Sequence, residues 1–169
     1  MTLKVGIDNY SYHRFFGEVY PQQVAPDKDM TTEDFLRRAK ELGVDGVSLE
    51  SCFIKSFEED YLTELKKALD DYGFDRVWAW GHPDGLEGGK NEPMLDDMIE
   101  HISHAKTIGA PVMRTVGSSL AFRNDPHEPQ LKKLTEMFKE AVKVAEDLDV
   151  KLAVENHFDF DSDEFLRLI

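Results

Sequence analysis

Apolar residues in this chain follow two alternating patterns. Short runs repeat with a period of two, and longer stretches repeat near 3.6. Residues 3–8, 46–50, 76–80, 111–116 and 150–155 are the short runs, and each predicts a strand. In 46–50 the small or polar Gly46, Ser48 and Glu50 alternate with Val47 and Leu49. In 150–155 Ala153 and Glu155 share one face, with His157 in the same parity, while Leu152 and Val154 share the other.

Between the strands lie helical segments with their own start and stop signals. Thr32 is placed to cap a helix with the stripe Phe35, Leu36, Ala39 and Leu42, and Gly43 can stop it. A second helix is predicted over 58–72, before Gly73. A third follows Pro93 and carries Met94, Met98, Ile102, Ala105 and Ile108, with Gly109 beyond. The fourth shows Leu131, Leu134, Phe138, Ala141, Val142, Ala145 and Leu148. A fifth begins at Asp161 or Ser162, where Asp161 and Glu164 have capping-box spacing.

Strand–helix repetition predicts an α/β fold with a parallel sheet. Two architectures satisfy it. One is a closed (βα)8 barrel of which this chain supplies about the first five βα units. The other is an open, doubly wound five-strand sheet. The last helix reaches Ile169 without a Gly, Pro or polar stop, which favours one domain over 1–169 that belongs to a larger closed structure continuing on the C-terminal side.

Composition narrows the function. With 169 residues, 41% hydrophobic and 32% charged, the chain suits one globular domain. A formal charge of −14 is poorly matched to nucleic acid, whose phosphates call for Lys and Arg. No segment has the apolar length to span a membrane. The single cysteine, Cys52, excludes an intrachain disulfide and fits a reduced, cytoplasmic setting. The N-terminus runs straight into a strand pattern with no secretory signature.

The candidate chemistry sits at the C-terminal ends of the predicted strands, where parallel α/β folds place their ligands. Glu155 and His157 follow the fifth strand in Val154-Glu155-Asn156-His157. A buried carboxylate there is paired with a cation, hydrogen-bonded or bound to a metal. Glu50 closes the second strand and is either a second active-site carboxylate or the partner of a neighbouring cation. Arg114 ends the fourth strand and can meet an anionic group or orient a carboxylate.

After the first strand, Tyr10, Tyr12, His13 and Phe16 gather rings and polar groups suited to a polyhydroxylated ligand, unless they fold back onto the core. Trp78, Trp80 and His82 share parity at the third strand, and Gly85, Gly88 and Gly89 allow a loop that closes over a ligand. His101 and His104 have metal-like spacing on a helix but read as solvated residues. Gly117-Ser118-Ser119 is at most a weak phosphate cradle.

Taken together, the chain resembles the xylose-isomerase-like barrel superfamily, the sugar phosphate isomerase/epimerases. The resemblance rests on Val5-Gly6-Ile7 with Tyr10-Ser11-Tyr12-His13, on the stretch from Glu41 to Glu50, on Ile108-Gly109-Ala110-Pro111 with Arg114, and on Val154-Glu155-Asn156-His157. It implies a (βα)8 barrel that binds a divalent metal ion (Mn2+, Mg2+, Co2+ or Zn2+) at its mouth, with Glu155 as first ligand. The other ligands would come from sixth to eighth strands, which this sequence does not contain. It further implies proton transfer on a carbohydrate. Glu155 and Glu50 would be catalytic, and Tyr10, Tyr12, His13, Phe16, His82, Arg114 and His157 would bind substrate. A C-glycoside-cleaving lyase and an inosose-type dehydratase are alternatives within the superfamily, and its abasic-site endonucleases fit poorly with the charge. A different class is a non-catalytic part-barrel that needs a complementary subunit or a second copy.

Overall fold

Five parallel strands lie side by side in the order of the sequence: β1 Gly6–Asp8, β2 Gly46–Glu50, β3 Asp75–Ala79, β4 Val112–Val116 and β5 Lys151–Glu155. The computed structural model describes residues 3–80 and 84–169. The predicted His82 lies outside that set. Consecutive order excludes the doubly wound alternative, in which the first strand has other strands of the chain on both sides. Five helices accompany the strands: α1 Thr32–Leu42, α2 Glu59–Tyr72, α3 Pro93–Ile108, α4 His127–Asp147 and α5 Ser162–Leu168. This is the repeated βα pattern of a barrel wall.

Most boundaries fall within a residue or two of expectation, and the exceptions have local causes. The first strand is shorter, because Val5 N–H is taken by the Asp45 carboxylate at 2.8 Å rather than by the ladder. The α1 cap is Thr31, not Thr32. Thr31 accepts from Asp34 N–H while the Asp34 carboxylate accepts from Thr31 N–H, and Thr32 is already helical and buried. Asp161 and Glu164 form the expected capping box of α5.

One face of the sheet carries the core. Leu49, Trp78, Met113 and Thr115 point to the helices and are fully buried against residues such as Phe35 of α1, Leu62 and Leu69 of α2, Met98 and Ile102 of α3, and Leu134 of α4. Burying each large apolar side chain stabilises the fold by roughly 1.5–3 kcal/mol. The opposite, concave face is lined by Gly6, Asp8, Ser48, Val77 and Val112 around an open concavity of about 760 Å³. Gly46 is required there, since a Cβ would stand 2.8 Å from the Asp75 carbonyl oxygen.

Candidate active site at the C-terminal strand ends

Strand register brings the site together. Glu50 of β2 is level with Ala79 of β3, Ala79 with Arg114 of β4, and Arg114 with Ala153 of β5. Glu155 lies two residues further along, level with Val116. Strand alternation puts Glu50, Arg114 and Glu155 on the concave face. The small Ala79 between Glu50 and Arg114 leaves room for the guanidinium to cross. Arg114 Nη2 donates to Glu50 Oε1, and its Nη1 donates to Glu155 Oε2. One cation thus ties together two carboxylates that stand 64 and 41 residues from it in the chain.

The three groups differ in environment. The side chains of Glu50, Arg114 and Glu155 are 7%, 26% and 37% exposed. Burial pushes the Glu50 carboxyl up to about 7; Arg114 opposes this, while the like charges of Asp8 and Glu155 add to it. Burial works against the Arg114 guanidinium, but Glu50, Glu155 and Asp8 together hold it above its ordinary value. Glu50 is further fixed by its backbone N–H, which donates to Asn9 Oδ1 at 2.8 Å from a fully buried carboxamide. Asn9 was not singled out in the sequence, where a lone Asn after a strand reads as a turn residue.

The aromatic segment after β1 forms a short 3-10 stretch, Asn9–Phe16, with Asp8 capping it. Phe16 stacks on Phe53, Phe53 on Tyr10, and Tyr10 on His13, with centroids 4.9, 6.0 and 5.1 Å apart. Phe53 comes from the turn after β2, a partner that sequence reading missed. Tyr10 hydroxyl meets Tyr20 and Glu18. Both His13 ring nitrogens are engaged internally, by the Tyr10 carbonyl at 2.9 Å and Gln23 at 3.1 Å. Tyr12 turns to α1, meeting Phe35 edge-on with ring centroids 5.9 Å apart, so it sits on the helix side rather than with Glu50. His157 lies in the loop after β5, beyond the end of the strand.

The structure settles which face Trp78 and Trp80 share, and it corrects the readings of His101 and of the glycine loop. Both tryptophans are buried toward α3, where Trp78 Nε1–H donates to His101 Nδ1 at 3.3 Å and Trp80 Nε1–H to Asp97 at 2.6 Å. His101 is not solvated but buried in that cluster. Its pKa is lowered to about 4 by burial first; Asp97 opposes the shift and His104 adds to it. Since indole only donates, His101 Nδ1 is the acceptor, and His104 Nδ1, 3.2 Å away, donates to it. Phe57 stacks on His104 and meets His101 edge-on.

The Gly88-Gly89 segment is packed rather than free, since a Cβ on Gly88 would stand 2.2 Å from Gln130 of α4. Ser118 and Ser119 are buried and bonded to Gln130 and Asp84, which gives them structural work. Burial, and then the charges of Glu50 and Glu18, push the Cys52 thiol up to about 12. A thiol held so high stays protonated near neutrality.

Among the described residues no group of three His, Cys, Asp or Glu side chains is arranged to hold a metal ion. Glu50 and Glu155 each give an oxygen to Arg114, so the donors in hand do not by themselves fit a divalent cation. The concavity of about 760 Å³ centres on the N-terminal half of the strands and includes neither Glu50, Arg114 nor Glu155. Chemistry follows the charged residues, because an open sheet face makes a hollow wherever its side chains are small. No helix of the described residues is long and apolar enough to cross a membrane.

Comparison with known proteins agrees with this geometry. A family model described as "xylose isomerase-like TIM barrel" matches residues 36–169. No curated protein matches the sequence. Among solved structures, a D-psicose 3-epimerase determined in the presence of D-fructose superposes with a TM-score of 0.73 at 13% identity, covering 98% of this chain and 60% of that one. A D-tagatose 3-epimerase-like protein gives 0.71 at 13% identity, covering 99% and 60%. A 3-keto-D-glucoside 4-epimerase from E. coli gives 0.68 at 17%, covering 99% and 64%. At these identities the likeness establishes the fold, and the chain spans about three fifths of the length of those proteins.

Proposed function

This chain belongs to the xylose isomerase-like TIM barrel family, and from that premise we propose that it supplies part of the active-site mouth of a sugar isomerase or epimerase. The observation that carries the proposal is Arg114 bridging Glu50 and Glu155 at the C-terminal end of a parallel sheet. The three similar solved structures are named as sugar epimerases or as like one, which supports a carbohydrate as substrate.

Epimerisation beside a carbonyl needs a base to take a proton from carbon and an acid to return one to the opposite face. Glu50, with its pKa pushed to about 7, is matched to giving and taking a proton near neutrality. Glu155, more open to solvent, is placed to meet the substrate from the β5 side. Arg114 holds both carboxylates and places positive charge where an enediolate oxygen develops. Glu155, already paired with Arg114, would need donors from further strands before it could hold a divalent metal.

The stacked rings of Phe16, Phe53, Tyr10 and His13 lie beside β1 and β2 and favour, as second reading, a lyase acting on a glycoside with a flat aglycone. Because the chain is three fifths as long as the structures it resembles, a complete mouth needs further strands, from the same polypeptide, a second copy or a complementary subunit.

Once the further strands complete the mouth, ketohexoses incubated with a divalent metal in D2O should exchange the hydrogen on the carbon beside the carbonyl, while the 169-residue chain alone should be silent. Glu155→Gln should slow that exchange at least ~100-fold. Absence of exchange with every ketohexose once the mouth is complete would overturn the reading.

A further inference from the structure

Just past Glu155 the chain makes a short loop, residues 156–160, in which two polar atoms are buried without a partner: His157 Nδ1 and Asp159 Oδ1. Asp159 as a whole is 2% exposed. A buried polar atom is costly unless something bonds it, so two in one loop call for a shared cause. One can donate and the other only accepts when the carboxylate is charged.

The loop is built to bring Asp159 inward. Asn156 Nδ2 donates to the Phe160 carbonyl at 2.9 Å and closes the turn. Phe158 takes φ of 63°, a left-handed conformation that strains any residue with a side chain. Its ring is left 68% exposed, so neither backbone nor side chain of Phe158 gains from the arrangement. Phe160 is buried edge-on against His127, and Asp161 caps α5, so the far side of the loop is anchored. Strain at Phe158 therefore serves the placement of its neighbours. Burial raises the Asp159 carboxyl, while the backbone N–H groups around it and the nearby His157 ring favour its charged form.

We propose that Asp159 is a positioning residue for His157: its Oδ1 and the imidazole Nδ1 share one buried hydroxyl or water, which fixes the ring and leaves Nε2 for a hydroxyl of the carbohydrate. The identity of that ligand rests on the sugar reading given above; the pairing of Asp159 with His157 does not. The relay runs one way, from imidazole Nδ1–H to the bridging oxygen and from that oxygen's hydrogen to Asp159 Oδ1, so the neutral ring carries its proton on Nδ1.

The test uses the full chain labelled with 15N-histidine, with long-range proton–nitrogen spectra showing which ring nitrogen is protonated. His157→Gln assigns the signal. In the wild type His157 should be one tautomer, with hydrogen on Nδ1. Asp159→Ala should move that hydrogen to Nε2, and Asp159→Asn, which keeps an acceptor oxygen, should restore Nδ1–H. An unchanged tautomer in a folded Asp159→Ala overturns the proposal. If that variant fails to fold, the wild type decides: Nδ1–H supports the pairing and Nε2–H overturns it.

A ketohexose titration separates the two levels. Shifts at His157 Nε2 that weaken about tenfold in affinity in Asp159→Ala support both. A ketohexose that moves no signal in the mouth defeats the sugar reading and leaves the tautomer result standing.

Discussion

On β4, Met113 and Thr115 face the helices and are fully buried, while Arg114 between them faces the other way and holds two carboxylates. The same alternation recurs on β2, where Leu49 is buried among helices and Glu50 stands in the mouth. One face of the sheet is secured by contact area. The other is secured by paired charge. The difference teaches where substitutions should cost stability through lost packing and where they should cost it through an orphaned ion.

The largest effect is expected on the packed face. Phe35→Ala removes a fully buried ring of α1 and should destabilise the protein by about 3–5 kcal/mol at any pH between 5 and 8, read by urea unfolding. A loss under about 1 kcal/mol would break the claim that this face supplies the stability.

Next comes Arg114→Ala. It leaves Glu50 buried without its cation and should cost about 2–3 kcal/mol near pH 8, less than a fully buried pair because Arg114 and Glu155 retain some solvent. Because Arg114 opposes the upward shift of Glu50, the variant's Glu50 keeps its proton to higher pH, so the cost should shrink as pH falls toward about 7 and level off below it. Replacing Arg114 with Met and Glu50 with Gln together should return stability to within about 1 kcal/mol of wild type. A cost independent of pH, unrelieved by the second change, would show that packing rather than charge rules this face too.

The smallest effect is in the slope of stability against pH, where the two faces oppose each other. The folded-state pKa of Glu50 is raised, so between its ordinary value and about 7 the native state binds more protons than the unfolded one, and stability falls as pH rises. His101 has a lowered folded-state pKa, so between about 4 and its ordinary value the native state binds fewer protons, and stability rises with pH. His104 is shifted in the same direction as His101. From about pH 4.5 to 6.5 the slopes partly cancel. Glu50→Gln should unmask a positive slope and His101→Phe a negative one, each at most about 1.4 kcal/mol per pH unit. Parallel curves for both variants would remove the distinction between the faces.

How much of this was legible in the sequence follows from how local each feature is. The alternation in Gly46-Val47-Ser48-Leu49-Glu50 is visible within five residues, and it placed β2 and the face of Glu50. Helix stops at Gly43, Gly73 and Gly109 are equally local, each with the left-handed backbone that glycine allows. Arg114 joining Glu50 and Glu155 spans three strands, and only the register makes it. Parity put Trp78 and Trp80 with His82, but it could not say which face they shared. Their indole donors found partners on α3, and that decided it. Asp159 escaped notice because its burial depends on a strained Phe158, against the residue's own preference.

The helix-side burial of Trp78 and Trp80 also determines what light can report. They are the only tryptophans of the chain, and each indole N–H is held by a residue of α3. Tryptophan emission therefore originates on the helix side of the sheet, the face opposite the side chains of Glu50, Arg114 and Glu155. It should follow unfolding closely and dim in acid as His101, bonded to Trp78, gains a proton and becomes a quencher. A sugar entering the mouth would leave it nearly unchanged, so binding there needs a reporter placed on the concave side.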